Sequence, residues 1–151
     1  MVRLCICEET GDRHVAENQL PQNVNSIRVC LADLGSALLI ESENDDWLSS
    51  SAGSPAYRAP ECCTGNKYSG MKADIWALGC SLFIFLTGKH PNKDMDPRLP
   101  EMKLNELIKK GLGDYEEKLA GFSPELKDFL RCCLEIDATK RASTLELCEH
   151  P

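Results

Sequence analysis

The chain is poor in clustered positive charge: 17 Lys and Arg stand against 24 Asp and Glu, a formal net charge of −7 over 151 residues. Binding a nucleic-acid backbone takes gathered Lys and Arg, so composition argues against a nucleic-acid partner. An acidic surface keeps a protein soluble or accepts basic peptides, and composition alone does not choose between the two. Long apolar runs are missing as well. The longest, residues 75–86, falls short of the roughly 18 to 20 residues needed to cross a bilayer, ends at Thr87-Gly88, and reads as a core helix with no membrane role. The opening Met1-Val2-Arg3-Leu4-Cys5 has no signal-peptide pattern. Repeats and low-complexity tracts do not occur.

Cysteine is the exception to this scarcity. There are nine, an odd number, and Cys62-Cys63 and Cys132-Cys133 are adjacent pairs, which suits reduced thiols in the cytoplasm better than a disulfide framework. Cys5 and Cys7 have no second Cys/His pair at zinc spacing, so the sequence names no metal ligands among the cysteines. With 42% hydrophobic and 27% charged residues, the chain has the composition of an ordinary globular protein. Its length suits one core.

Residues 1–26 mix charges, Asn, Gln and Pro without clear periodicity and form a poorly defined leading segment; residues 27–151 carry the interpretable domain. Ile27-Arg28-Val29-Cys30-Leu31 alternates as a strand should, and residues 36–40 are expected to return as its partner after a turn at Asp33-Leu34-Gly35. Residues 41–54 are acidic, rich in serine, and expected to be loop. A helix is expected from Met71 to Thr87, apolar on every side and therefore surrounded by protein, with Trp76, Phe83 and Phe85 in the core. Pro100 opens an amphipathic helix with Leu104, Leu107 and Ile108 at helical spacing, ended by Gly111. Ser123-Pro124-Glu125 starts another, with Leu126, Phe129, Leu130, Cys133 and Leu134 as its apolar stripe. Ser143-Thr144-Leu145-Glu146 is a capping box, in which hydroxyl and carboxylate each satisfy a free backbone N–H.

Ala32-Asp33-Leu34-Gly35 sets an Asp on a tight turn after a strand, and alone it says nothing more than a strand end. Downstream come Gly53-Ser54-Pro55-Ala56-Tyr57-Arg58-Ala59-Pro60-Glu61, then Asp74-Ile75-Trp76-Ala77-Leu78-Gly79, then Asp137-Ala138-Thr139-Lys140-Arg141-Ala142-Ser143. In this order the four resemble the activation segment, substrate-docking loop and C-terminal helices of a serine/threonine protein kinase. The resemblance implies a mainly α fold, a kinase C-terminal lobe with a short antiparallel β-hairpin near the N-terminus. Gly53-Ser54-Pro55-Ala56-Tyr57 and the terminal Glu149-His150-Pro151 are closest to the calcium/calmodulin-dependent kinases and their upstream kinase kinases, which implies calmodulin-linked signalling.

The same resemblance assigns roles. Asp33 holds the magnesium that bridges the ATP phosphates, with Asn18 as second metal ligand. Gly53, Ser54, Pro55 and Tyr57 dock the protein substrate, Asp74 anchors the catalytic-loop backbone, and Arg141 pairs with Glu61. Ser51, with Ser49 and Ser50 beside it, matches the activating phosphorylation position; a solvated serine-rich loop explains it equally well, and Asp45 and Asp46 are expected to repel a phosphate. The chain departs from the pattern at Gly11-Asp12-Arg13-His14-Val15-Ala16-Glu17-Asn18, where the catalytic loop belongs. Counting back from Asn18 puts Arg13 at the base position, and Asp12 reaches it only with a shift of one residue.

A Gly-rich phosphate loop, a phosphate-gripping Lys and its Glu partner belong to an N-terminal lobe that finds no place ahead of Met1. The expectation is a partial kinase domain that does not transfer phosphate from Mg-ATP by itself. The alternative is a non-catalytic module that holds a protein substrate or a partner kinase.

Overall fold

The computed structural model describes residues 3–8 and 27–32 as backbone, and residues 34–40, 45–49, 53–96, 98–113 and 115–151 with their side chains. Contacts divide the chain into two compact units, Met1–Leu38 and Leu39–Pro151.

In the first unit β1 (Arg3–Glu8) and β2 (Ile27–Ala32) form an antiparallel pair, with Arg3 opposite Ala32 and Glu8 opposite Ile27. The expected partner of β2, residues 36–40, is not a strand. Leu34–Ser36 instead makes one 3₁₀ turn, closed by the Ala37 N–H donating to the Leu34 carbonyl at 2.9 Å, and residues 37–40 join no ladder. A chain that spends three residues on a helical turn has no room left to return in register. Arg3-Leu4-Cys5-Ile6-Cys7-Glu8 supplies the partner, from the leading segment in which the sequence shows no clear periodicity.

The second unit is mainly helical. Ser69 caps α1 (Gly70–Thr87) by accepting the Lys72 N–H, and Gly88, at φ +68°, ends it with an N–H donated to the Ile84 carbonyl. Ile75, Trp76, Gly79, Cys80 and Phe83 form its buried stripe. Gly79 lets α1 lie against α3 (Pro124–Cys133): a Cβ there would stand 2.7 Å from the Cys133 Cβ and 2.9 Å from Leu134. The helix is not covered on every side. Phe85, expected in the core, is 38% exposed, while Trp76 and Phe83 are buried. At 18 residues and a mean hydropathy of 1.3, α1 satisfies length and composition for a membrane span. Its buried stripe against α3 makes it the central helix of this unit.

α2 (Glu101–Lys110) packs against residues 55–63 with Leu104 and Ile108 turned inward, and α3, capped by Ser123 accepting the Leu126 N–H, packs on α1. The short α4 (Thr144–Cys148) starts with both arms of the Ser143–Glu146 capping box formed. Two apolar clusters result. One gathers Ala59, Ile75, Trp76, Cys80, Leu112, Cys133, Leu134 and Leu147; the other Phe83, Leu119 and Leu130. Within the stretch expected to be loop, Trp47–Leu48 forms β3, paired with β4 (Tyr68–Ser69).

Candidate functional site: the anchored docking segment

Residues 53–63 run from a glycine at φ +97° through two 3₁₀ turns, Pro55–Tyr57 and Pro60–Cys63, each opened by a proline whose missing N–H costs nothing at a first helical position. Such a segment has few internal hydrogen bonds. Its shape is set from outside, at three points.

Arg58 is the first. It is 8% exposed, and its guanidinium donates to the Glu101 carboxylate at 2.9 Å, to Asn105 Oδ1 at 3.1 Å and to the Gly53 carbonyl at 3.2 Å. Both its neighbours on α2 and the start of its own loop are thereby tied to one side chain.

The second point is His90, whose Nε2 is 2.6 Å from the Ala56 carbonyl, while Nδ1 is 3.0 Å from the Asn92 N–H and 3.2 Å from the Asn92 carbonyl. With the Nε2–H donated to Ala56 and Nδ1 accepting the Asn92 N–H, both contacts are met by the neutral imidazole. Burial lowers the His90 pKa below its ordinary value, outweighing the two hydrogen bonds that favour the proton.

Arg141 is the third, 1% exposed and completely engaged. It grips Glu61 with two parallel bonds, Nη1 to Oε1 at 2.6 Å and Nη2 to Oε2 at 3.0 Å, and donates further to the carbonyls of Lys72 at 2.8 Å and Glu135 at 2.8 Å. Its guanidinium carbon lies 5.0 Å from the Trp76 ring centre. The Lys72 ammonium donates in turn to the Arg141 carbonyl. Glu61, α1 and the loop before α4 are thus locked by one cation.

The thiols nearby are structural. Burial, followed by the Glu61 charge, pushes Cys62 up to about 11, and burial pushes Cys80 and Cys133 up to about 12, so none offers a thiolate at neutral pH. The six described cysteines, including the adjacent pairs, are free thiols.

Of the residues assigned roles from the sequence, Asp12, Asn18, Asp33, Ser50 and Ser51 lie outside the described residues, so no geometry attaches to the magnesium and ATP of a kinase reaction. Ser49 is exposed just after β3, and Ser54 is exposed, with no side-chain cap bond to the turn it precedes. Pro55 and Tyr57 are partly buried. Asp74 is exposed on the first turns of α1, makes no hydrogen bond to another described residue, and has its carboxyl pushed up by partial desolvation. Asp46 differs from expectation. It is 8% exposed and turned away from solvent: its carboxylate accepts the Ser69 hydroxyl and the Met71 N–H, the latter at 3.1 Å, and its own carbonyl accepts the Gly70 N–H at 2.9 Å. A carboxylate at a helix N-terminus is stabilised by the aligned peptide dipoles, so Asp46 secures α1 and is not a free charge beside the serines.

Arg58, His90 and Asp46 went unmarked in the sequence as holders of this site. A cation inside the apolar run Ala56-Tyr57-Arg58-Ala59-Pro60 was the one available signal, since a buried Arg must find acceptors. For His90 and Asp46 there was none. Their partners are a carbonyl 34 residues away and a helix end 23 residues away.

Residues 16–151 match the protein kinase domain model. Tribbles homolog 2 from Canis lupus familiaris and from Mus musculus is 35% identical over 125 residues, covering 82% of this chain and 34% of theirs. A probable serine/threonine-protein kinase of Dictyostelium discoideum is 35% identical over 151 residues, covering 95% of this chain and 17% of its own. The chain therefore spans about a third or less of the relatives it matches. With the family model covering nearly all of its length, the chain belongs to the protein kinase domain family.

Proposed function

We propose that this chain supplies the substrate-docking half of a serine/threonine protein kinase domain and does not transfer phosphate on its own. The observation that carries this is the anchoring of residues 53–63 by Arg58, His90 and Arg141, which fixes a loop that few internal bonds would hold. Gly53, Ser54, Pro55 and Tyr57 form the surface offered to a protein substrate, held in place by Glu61. Phosphoryl transfer is mostly positioning and charge neutralisation. The groups assigned to those tasks, Asp33 and Asn18 for magnesium and nucleotide and Asp12 for the base, rest on sequence resemblance. Ser51, with Ser49 and Ser50, is the regulatory phosphorylation position of this reading. A place in calmodulin-linked signalling rests on the docking motif and Glu149-His150-Pro151 alone.

Two measurements test it. Mg-ATP should leave the melting temperature of the isolated chain unchanged and no phosphate should reach a Ser/Thr peptide library; a clear nucleotide-induced shift would sink the reading. Library peptides should still bind, and Arg58→Ala should weaken that binding at least tenfold.

The second reading is a non-catalytic module that holds a protein substrate or a partner kinase, which the anchored residues 53–63 would serve without any catalytic group. The transcript upstream of Met1 separates the two. An in-frame Gly-rich loop and Val-Ala-x-Lys strand support the first; an authentic promoter and stop codon support the second.

A further inference from the structure

Away from the docking segment, Asp128 and Cys132 stand one helical turn apart on α3 and meet His150, which follows α4. Their ligand atoms, a carboxylate oxygen, a sulfur and a ring nitrogen, all lie within 4.8 Å of one another. His150 Nε2 is 3.1 Å from Asp128 Oδ2, and Nδ1 is 3.2 Å from the Pro151 backbone oxygen. The ring is held edge-on by Phe129, with centroids 5.4 Å apart and planes at 88°.

A neutral imidazole has one donor and one acceptor nitrogen. Both nitrogens of His150 face oxygen. Whichever tautomer is present, one lone pair is aimed at another lone pair, and only a cation relieves that: a proton, making an imidazolium–carboxylate pair, or a metal ion. The sulfur decides between them. A proton shared between His150 and Asp128 gives Cys132 no part, whereas nitrogen, oxygen and sulfur converging on one point are the donor set of a borderline-soft divalent cation. A donated Nδ1–H on a backbone oxygen, with Nε2 left as ligand, is the arrangement that orients metal-bound histidines.

We propose that Asp128, Cys132 and His150 form a zinc site, with three protein donors and a fourth position left to water or an incoming ligand. The His150 side chain is 12% exposed and that of Asp128 62%, so the site is firm on one side and open on the other. Cys132 binds a metal as the thiolate, so loading the site releases a proton.

Cobalt titration of the full metal-free chain tests the proposal. One Co²⁺ per chain should bind, with tetrahedral visible bands and a thiolate-to-cobalt charge-transfer band, and stoichiometric Zn²⁺ should abolish both. Cys132→Ser should remove the charge-transfer band, Asp128→Asn and His150→Gln should each loosen Co²⁺ at least tenfold, and Cys62→Ser/Cys63→Ser should leave the spectrum intact. Asp128 is exposed, so its variant keeps the fold and reads the site alone. Absence of the band, its survival in Cys132→Ser, or His150 ring-nitrogen resonances that do not move when Zn²⁺ is added, each overturns the zinc site.

Discussion

Arg141 donates to four groups, the Glu61 carboxylate and the carbonyls of Lys72, Glu135 and Ile136, and Glu61 is the one that carries charge. Arg141→Ala would strand a carboxylate whose side chain is 17% exposed together with several carbonyls. The expected cost is about 3–5 kcal/mol, the usual penalty for removing one partner of a buried pair. Urea denaturation reads this directly; a midpoint within error of the parent's would show the pair to be dispensable. His90 gives a pH prediction. Its proton is disfavoured in the fold and freely taken up by the unfolded chain at its ordinary value of 6.5. Between the folded and unfolded values the unfolded chain binds more protons, so stability falls as pH falls through that window. His90→Gln, which keeps a donor for the Ala56 carbonyl, should flatten this part of the stability–pH curve. Glu61 and Arg141 are readable in the sequence because each stands in a distinctive motif. His90 and Asp46 are not, because a bond to a backbone group leaves no trace in residue type on the far side.

Elements whose signals are local were legible. The starts of α3 and α4 follow from Ser123-Pro124-Glu125 and from the Ser143–Glu146 box, each a hydroxyl satisfying a nearby N–H. Ser143→Ala should destabilise the protein by about 1 kcal/mol, seen as a lower melting temperature, because Leu147 of α4 contributes to the main apolar cluster. Where pairing is long-range the sequence was silent: β1 lies about twenty residues ahead of β2, and β3 rests on a two-residue match to Tyr68–Ser69. The crossing of α1 and α3 belongs to the same class. A methyl added at Gly79 meets the Cys133 Cβ, which cannot swing aside. Gly79→Ala should therefore cost about 1–3 kcal/mol, measured by chemical denaturation, whereas Gly65→Ala at a surface turn meets no neighbouring atom and pays only for its φ of +81°.

On the scale of the molecule the mainly helical fold with a short antiparallel pair follows from the sequence, while the partner of β2 and the exposure of Phe85 do not. The docking segment binds together parts of the chain that are far apart in synthesis. Glu61 and Arg141 are separated by 80 positions. Closing a loop that long costs about 4 kcal/mol of chain entropy, more than a buried ion pair returns after its desolvation, so the pair cannot pull the loop shut unaided. Packing of α1 on α3 must first bring the ends near, and the pair itself can close only after the ribosome has released residue 141. During translation the docking surface therefore takes its final shape late, although its residues emerge early. A growing chain exposes that loop to proteases and chaperones for the whole interval. Pulsed proteolysis of stalled chains should find cleavage near residues 53–63 until Arg141 has cleared the exit tunnel, and protection afterwards.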